Sequence, residues 1–86
     1  MPYIPITRRE LLDEYLLPIS KIVQHEGELN YVITKLLILV YPKEGECYKD
    51  LNAVLGLLEA VKAEWIRRRM NDYEESKRHQ NGDVYI

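Results

Sequence analysis

YKDLNAVLGLLEAVKAEWIRRRMNDYEESKRH, residues 48–79, is the stretch that decides the fold. It contains no proline, and good helix formers dominate it, so it predicts one long helix. The apolar stripe is Leu51, Val54, Leu55, Leu58, Val61 and Trp65, and a second strip through Ile66, Met70 and Tyr73 continues on a rotated face. At 1.5 Å per residue the helix is about 45 Å long. A chain of 86 residues packs into a globule roughly 30 Å across by the usual radius-of-gyration scaling. The far end must therefore protrude, bend or meet another subunit. A homo-oligomer through this helix is the expected partner arrangement.

Upstream, Leu29, Val32, Ile33, Leu36, Leu37 and Val40 fall at helical spacing and predict a second helix over 28–41. The β-branched residues Val32, Ile33, Thr34, Ile38 and Val40 offer a rival strand, but eleven residues of 3.6 periodicity with no turn inside favour the helix. Pro42-Lys43-Glu44-Gly45-Glu46 breaks the chain before the long segment. A first helix is predicted over 7–25: Thr7-Arg8-Arg9-Glu10 fits a capping box, and Leu11, Leu12, Tyr15, Leu16 and Ile19 form its stripe. Pro18 should kink it, or stop and restart it. Pro2 and Pro5 make residues 1–6 an extended arm, Asn81-Gly82 reads as a left-handed cap, and residues 81–86 form an extended tail. The fold class is all-α: a kinked first helix, a central helix and one long helix in a single small bundle.

Composition narrows the function classes. With 47% hydrophobic and 30% charged residues the chain is too apolar for disorder and too charged for a membrane span. Twelve basic against fourteen acidic residues give a net charge of -2, which argues against general nucleic-acid or anionic-membrane binding, so any anion site is local. The single cysteine, Cys47, excludes an internal disulfide, and a half-buried structural thiol is its expected role. The start has no secretion-signal pattern, so a cytoplasmic setting is expected.

Two features could carry chemistry. Arg67, Arg68 and Arg69 fan over about 200° of helix surface, and arginine forks suit phosphate or carboxylate. The plainer alternative is local pairing, Glu64 with Arg68, Asp72 with Arg68 or Arg69, and Glu74 with Arg78. Tyrosine is the second feature: there are seven, with no phenylalanine. Its ring stacks on a base and its hydroxyl hydrogen-bonds. If the termini fold over the Arg-rich end, Asn30, Tyr31, Tyr73 and Tyr85 would join the arginines in a pocket for a nucleotide-like anion. Packing at the edge of the core is the alternative for these rings.

Neither nucleotide-binding glycine loop is present, and His25 and His79 are isolated. Gly27-Glu28 at a helix start is a weak anion signal, since Glu28 already complements the dipole. Glu10, Asp13 and Glu14 share a face able to hold Mg²⁺, though an exposed acidic face is the simpler account. Ser76 and His79 lack an orienting acid. An enzyme reading survives as a metal-dependent nucleotide hydrolase using Glu28, Glu59 and Glu64, with Glu59 and Glu64 in poor geometry on one helix.

Gly27-Glu28-Leu29-Asn30-Tyr31, the stretch Ile66-Arg67-Arg68-Arg69 with Tyr73-Glu74, and Asn81-Gly82-Asp83-Val84-Tyr85 together resemble a family of small proteins from tailed phages and prophages. The start Met-Pro-Tyr-Ile-Pro fits the same family. The resemblance implies a phage or host-cell setting and a protein that binds a host factor; it implies no chemistry. The expected function is a non-enzymatic binding protein that interferes with the host by sequestering a nucleotide-like anion or gripping a host protein. A helical adaptor in phage assembly or regulation is a further alternative.

Overall fold

In the computed structural model, which describes residues 2–85, the chain is all-α: α1 (Ile6–Ile22), α2 (Glu26–Val40), and a long helix made of α3 (Tyr48–Trp65), a π turn (Ile66–Met70) and α4 (Asn71–Asn81). Among the described residues there is no strand, so the helical period of α2 prevails over its β-branched content. The chain divides into two units, Met1–Leu51 and Asn52–Ile86, with the boundary in the first turns of α3.

Within the first unit, α1 begins one residue before the expected capping box. Pro5 is the cap residue, with φ -54, and no side chain caps the helix. The Pro5 carbonyl takes the amides of Arg8 and Arg9 at 3.0 and 3.1 Å, so proline's fixed φ starts the first turn and leaves Thr7 inside it. Arg9 Nε donates to the Ile4 carbonyl at 2.6 Å and ties the arm to that turn. The helix runs through Pro18 without the expected stop and restart. Residues 14–18 are exposed, so the Glu14 carbonyl that loses its donor can turn to water.

α1 ends at Ile22, not at residue 25, because His25 is recruited as the cap of α2. Its Nδ1 accepts the Glu28 amide at 3.4 Å, while Glu28 Oε1 accepts the Gln24 amide at 2.8 Å. This reciprocal cap starts α2 at Glu26, two residues before the expected start, and α2 ends at Val40 rather than 41. α1 and α2 do not pack along their lengths. At their corner Ile19, Ile22, Val23, Glu28, Tyr31 and Val32 line an apolar groove of about 350 Å³.

Between α2 and α3, Gly45 has φ 75, the left-handed region that glycine enters without cost, and Glu46 N–H closes a turn onto Lys43. Cys47, whose carbonyl accepts the Asp50 and Leu51 amides, is exposed and not half-buried, as are its neighbours at 41–49 in this connector.

In the second unit, helix continues to Asn81, two residues past the expected end at 79, and includes a π turn that the pattern marked only by its change of face at Ile66. Its signature is the Asn71 amide bonded to the Ile66 carbonyl five residues back. One extra residue in the turn explains the rotated strip. Between Trp65 and Tyr73 a plain α-helix would advance about 80° beyond two full turns; absorbing one residue's 100° returns Tyr73 close to the line of Trp65. Gly82, with φ 89, ends the helix as expected, its amide on the Arg78 carbonyl at 2.9 Å. The tail then turns instead of extending, because Asp83 Oδ1 accepts the Tyr85 amide at 2.8 Å. Ile86 lies outside the described residues.

Among the described residues none is buried. The aliphatic stripe Val54, Leu55, Leu58 and Val61 is at best partly covered within its own unit.

Candidate functional site

The arginine triplet occupies the π turn itself. Arg67 Nε donates to Glu64 Oε1 at 3.0 Å, and Arg68 Nε lies 3.9 Å from the same oxygen. The favoured partner is thus Arg67, three residues on, and not Arg68 alone. Arg69 points elsewhere: its guanidinium carbon sits 4.6 Å above the centre of the Trp65 ring. Lys77 repeats the motif, with Nζ 5.5 Å from the centre of the Tyr73 ring. Both rings remain open to solvent, Trp65 at 55% and Tyr73 at 58% exposure. Such exposed cation–ring pairs are worth about 0.5–1 kcal/mol each.

The end of α4 forms a second feature, an open groove of about 520 Å³ lined by Asn71, Glu74, Lys77, Arg78, Asp83 and Tyr85 among others. Arg78 is claimed on two sides. It pairs with Glu75 and not with the expected Glu74, Nε donating to Glu75 Oε2 at 3.2 Å, and Nη1 reaches Asp83 Oδ2 at 3.3 Å. The hydrogen bond from Arg78, reinforced by its charge, holds the Glu75 carboxyl below its ordinary value, and the same bond, with a further one that Arg78 donates to Asp83, raises Arg78. A groove whose arginine already holds two carboxylates is poorly placed to take an anion.

The expected site residues are distributed over both units. Arg67, Arg68, Arg69 and Tyr73 stand together along the long helix, while Tyr85 lines the groove beside Arg78 and is 94% exposed. Asn30 and Tyr31 belong to the first unit: Asn30 Oδ1 accepts the Thr34 hydroxyl at 3.2 Å, and Tyr31 lines the apolar corner. The weak anion signal at Gly27-Glu28 is consumed by the His25 cap.

Trp65 and Lys77 are the participants that the sequence reading passed over as stripe and charge. The repeat Trp65, Arg69, Tyr73, Lys77, one every four residues, is the signal that marks them. Among the described residues no three His, Cys, Asp or Glu side chains come together as a metal cluster. Glu28 caps α2, and Glu64 is held by Arg67 and Arg68. No helix among the described residues is long and apolar enough to cross a membrane.

The chain belongs to a family described as a domain of unknown function, DUF6899, whose model matches residues 1–84. No curated protein and no solved structure matches it.

Proposed function

We propose that this chain is a non-enzymatic binding protein that self-associates through the aliphatic part of its long helix and takes an anionic, nucleotide-like ligand at the π turn. The observation that carries the reading is the pairing of Arg69 with Trp65 inside the turn that holds Arg67 and Arg68. π turns are rare and are frequently found at functional sites. An arginine held on an indole face offers charge for a phosphate beside a ring for a base.

Self-association is supported by the exposed stripe Val54, Leu55, Leu58 and Val61, which gains by burial. The resemblance to small phage proteins supplies the setting: a protein acting in the host cytoplasm that withholds a nucleotide-like anion, or grips a host protein, to the phage's benefit. Light scattering and ligand-induced melting test the reading together. Expected are a mass above one chain and a melting rise with pyrophosphate that disappears when Arg67, Arg68 and Arg69 are all alanine. A monomer whose melting shift is the same in that variant would overturn it.

A further inference from the structure

Trp65, Arg69, Tyr73 and Lys77 alternate ring and cation at a constant interval of four residues. In a plain α-helix that interval drifts about 40° per step, so three steps would spread the four side chains over about 120°. The π turn, Ile66–Met70, lies between Trp65 and Tyr73 and absorbs one residue, taking back about 100° over those two steps. Tyr73 and Lys77 thereby fall within about 20° of the line of Trp65, with Arg69 set about 40–60° to one side. The two observed ring contacts, Arg69 on Trp65 and Lys77 on Tyr73, fall on this side of the helix. Two neighbouring carboxylates are held by other cations, Glu64 by Arg67 and Glu75 by Arg78, while Asp72 and Glu74 flank Tyr73.

We infer that this ladder is a stacking surface for a short single-stranded oligonucleotide, with two bases on Trp65 and Tyr73, a phosphate between them on Arg69 and the phosphate beyond the second base on Lys77. The inference rests on the anion-binding reading above and gives its ligand a class. The rings stand eight residues apart, about 12 Å along the axis. That is the span of two nucleotide steps in a strand drawn out to about twice its stacked rise of 3.4 Å, so a trinucleotide reaches both rings and a mononucleotide only one. Aromatic rings accept any base, and the cations beside them accept any phosphate, which makes the surface tolerant of sequence. With two phosphates engaged, the logarithm of the binding constant should fall with that of salt at a slope of about -1.4, consistent with a chain whose bulk charge gives no general nucleic-acid affinity.

Trp65 is the one tryptophan in the chain, so its fluorescence reports on the ladder directly. The full chain is titrated with the 5′-phosphorylated deoxyadenosine trinucleotide, with deoxyadenosine monophosphate and with pyrophosphate. The trinucleotide should quench Trp65 and bind at least tenfold more tightly than the monophosphate, the size of one additional base stack. Tyr73→Leu, checked for helicity by circular dichroism, should abolish that tenfold advantage while leaving the monophosphate quench in place. Equal affinity of the two nucleotides, or a trinucleotide advantage that survives Tyr73→Leu, overturns the ladder. So does a Trp65 emission that shifts to the blue with protein concentration and ignores the trinucleotide, which would mean that another chain covers this face. A pyrophosphate melting shift without nucleotide quenching leaves the anion-binding reading standing and removes the ladder; no response to any of the three ligands removes both.

Discussion

The long helix carries two chemistries on one line, aliphatic from Val54 to Val61 and aromatic with cations from Trp65 to Lys77, and the π turn at Ile66–Met70 lies just past their junction. In the aliphatic half, leucines and valines such as Leu55, at 63% exposure, have no polar role and gain only by leaving water. In the other half each ring already holds a cation, and covering it with an apolar partner would strip solvent from guanidinium and ammonium groups. The contrast teaches where contact between copies should stop: the first half is suited to a second copy and the second half to a charged ligand.

The largest expected effect comes from breaking the aliphatic half. Leu58→Glu removes a side chain worth about 1.5–3 kcal/mol when fully buried and places a charge at the contact. Self-association measured by sedimentation should weaken at least tenfold, with pyrophosphate binding to the separated chain changed little. If ligand binding vanished along with association, the two halves would not be independent.

The converse change is Arg69→Ala. It should lower ligand affinity severalfold in calorimetry while leaving the sedimentation profile as it was, and Arg69→Lys should recover part of the loss by keeping charge without the planar fork. The unliganded protein should lose at most about 0.5–1 kcal/mol, the value of an exposed cation–ring pair.

Glu64→Gln sharpens the comparison from the other side. It releases Arg67 and Arg68 from their shared carboxylate, so pyrophosphate should bind about two- to threefold more tightly, in keeping with the modest worth of an exposed ion pair. A nucleotide hydrolase that relied on Glu64 would instead lose phosphate release in the same variant.

The smallest effect is at the end of α4. The Glu75 carboxyl is held below its ordinary value of 4.5 by the Arg78 hydrogen bond and then by its charge. A depressed carboxylate contributes stability above its unfolded value, and that contribution fades as pH falls through the folded one. An acid titration followed by circular dichroism should therefore show slight unwinding only below about pH 4.5, and Glu75→Gln should abolish that step. The ladder, which contains no carboxylate, should keep its Trp65 emission throughout.

Much of this architecture is legible in the residues. The period of Leu29 to Val40 and the proline-free run from Tyr48 are strong helical patterns, and Gly82 is a reliable stop because only glycine takes φ 89 without strain. What escapes is governed by single hydrogen bonds. Thr7 reads as a cap, but Pro5 starts the helix first; His25 reads as the end of α1, but its ring nitrogen caps α2. Of the seven expected site residues, Arg67, Arg68, Arg69 and Tyr73 lie together. Asn30, Tyr31 and Tyr85 are engaged elsewhere, since charge and ring type predict what a side chain can hold and not where a turn sends it. The π turn was signalled only indirectly, by an apolar strip that changed face at Ile66.

Native mass spectrometry tests the central claim most directly, because it reads subunit number and retained ligand in one spectrum. The account predicts more than one chain per particle with a phosphate-bearing ligand attached, and the same particle without that ligand when Arg67, Arg68 and Arg69 are replaced by alanine. A single chain, or a ligand retained equally by that variant, would contradict it.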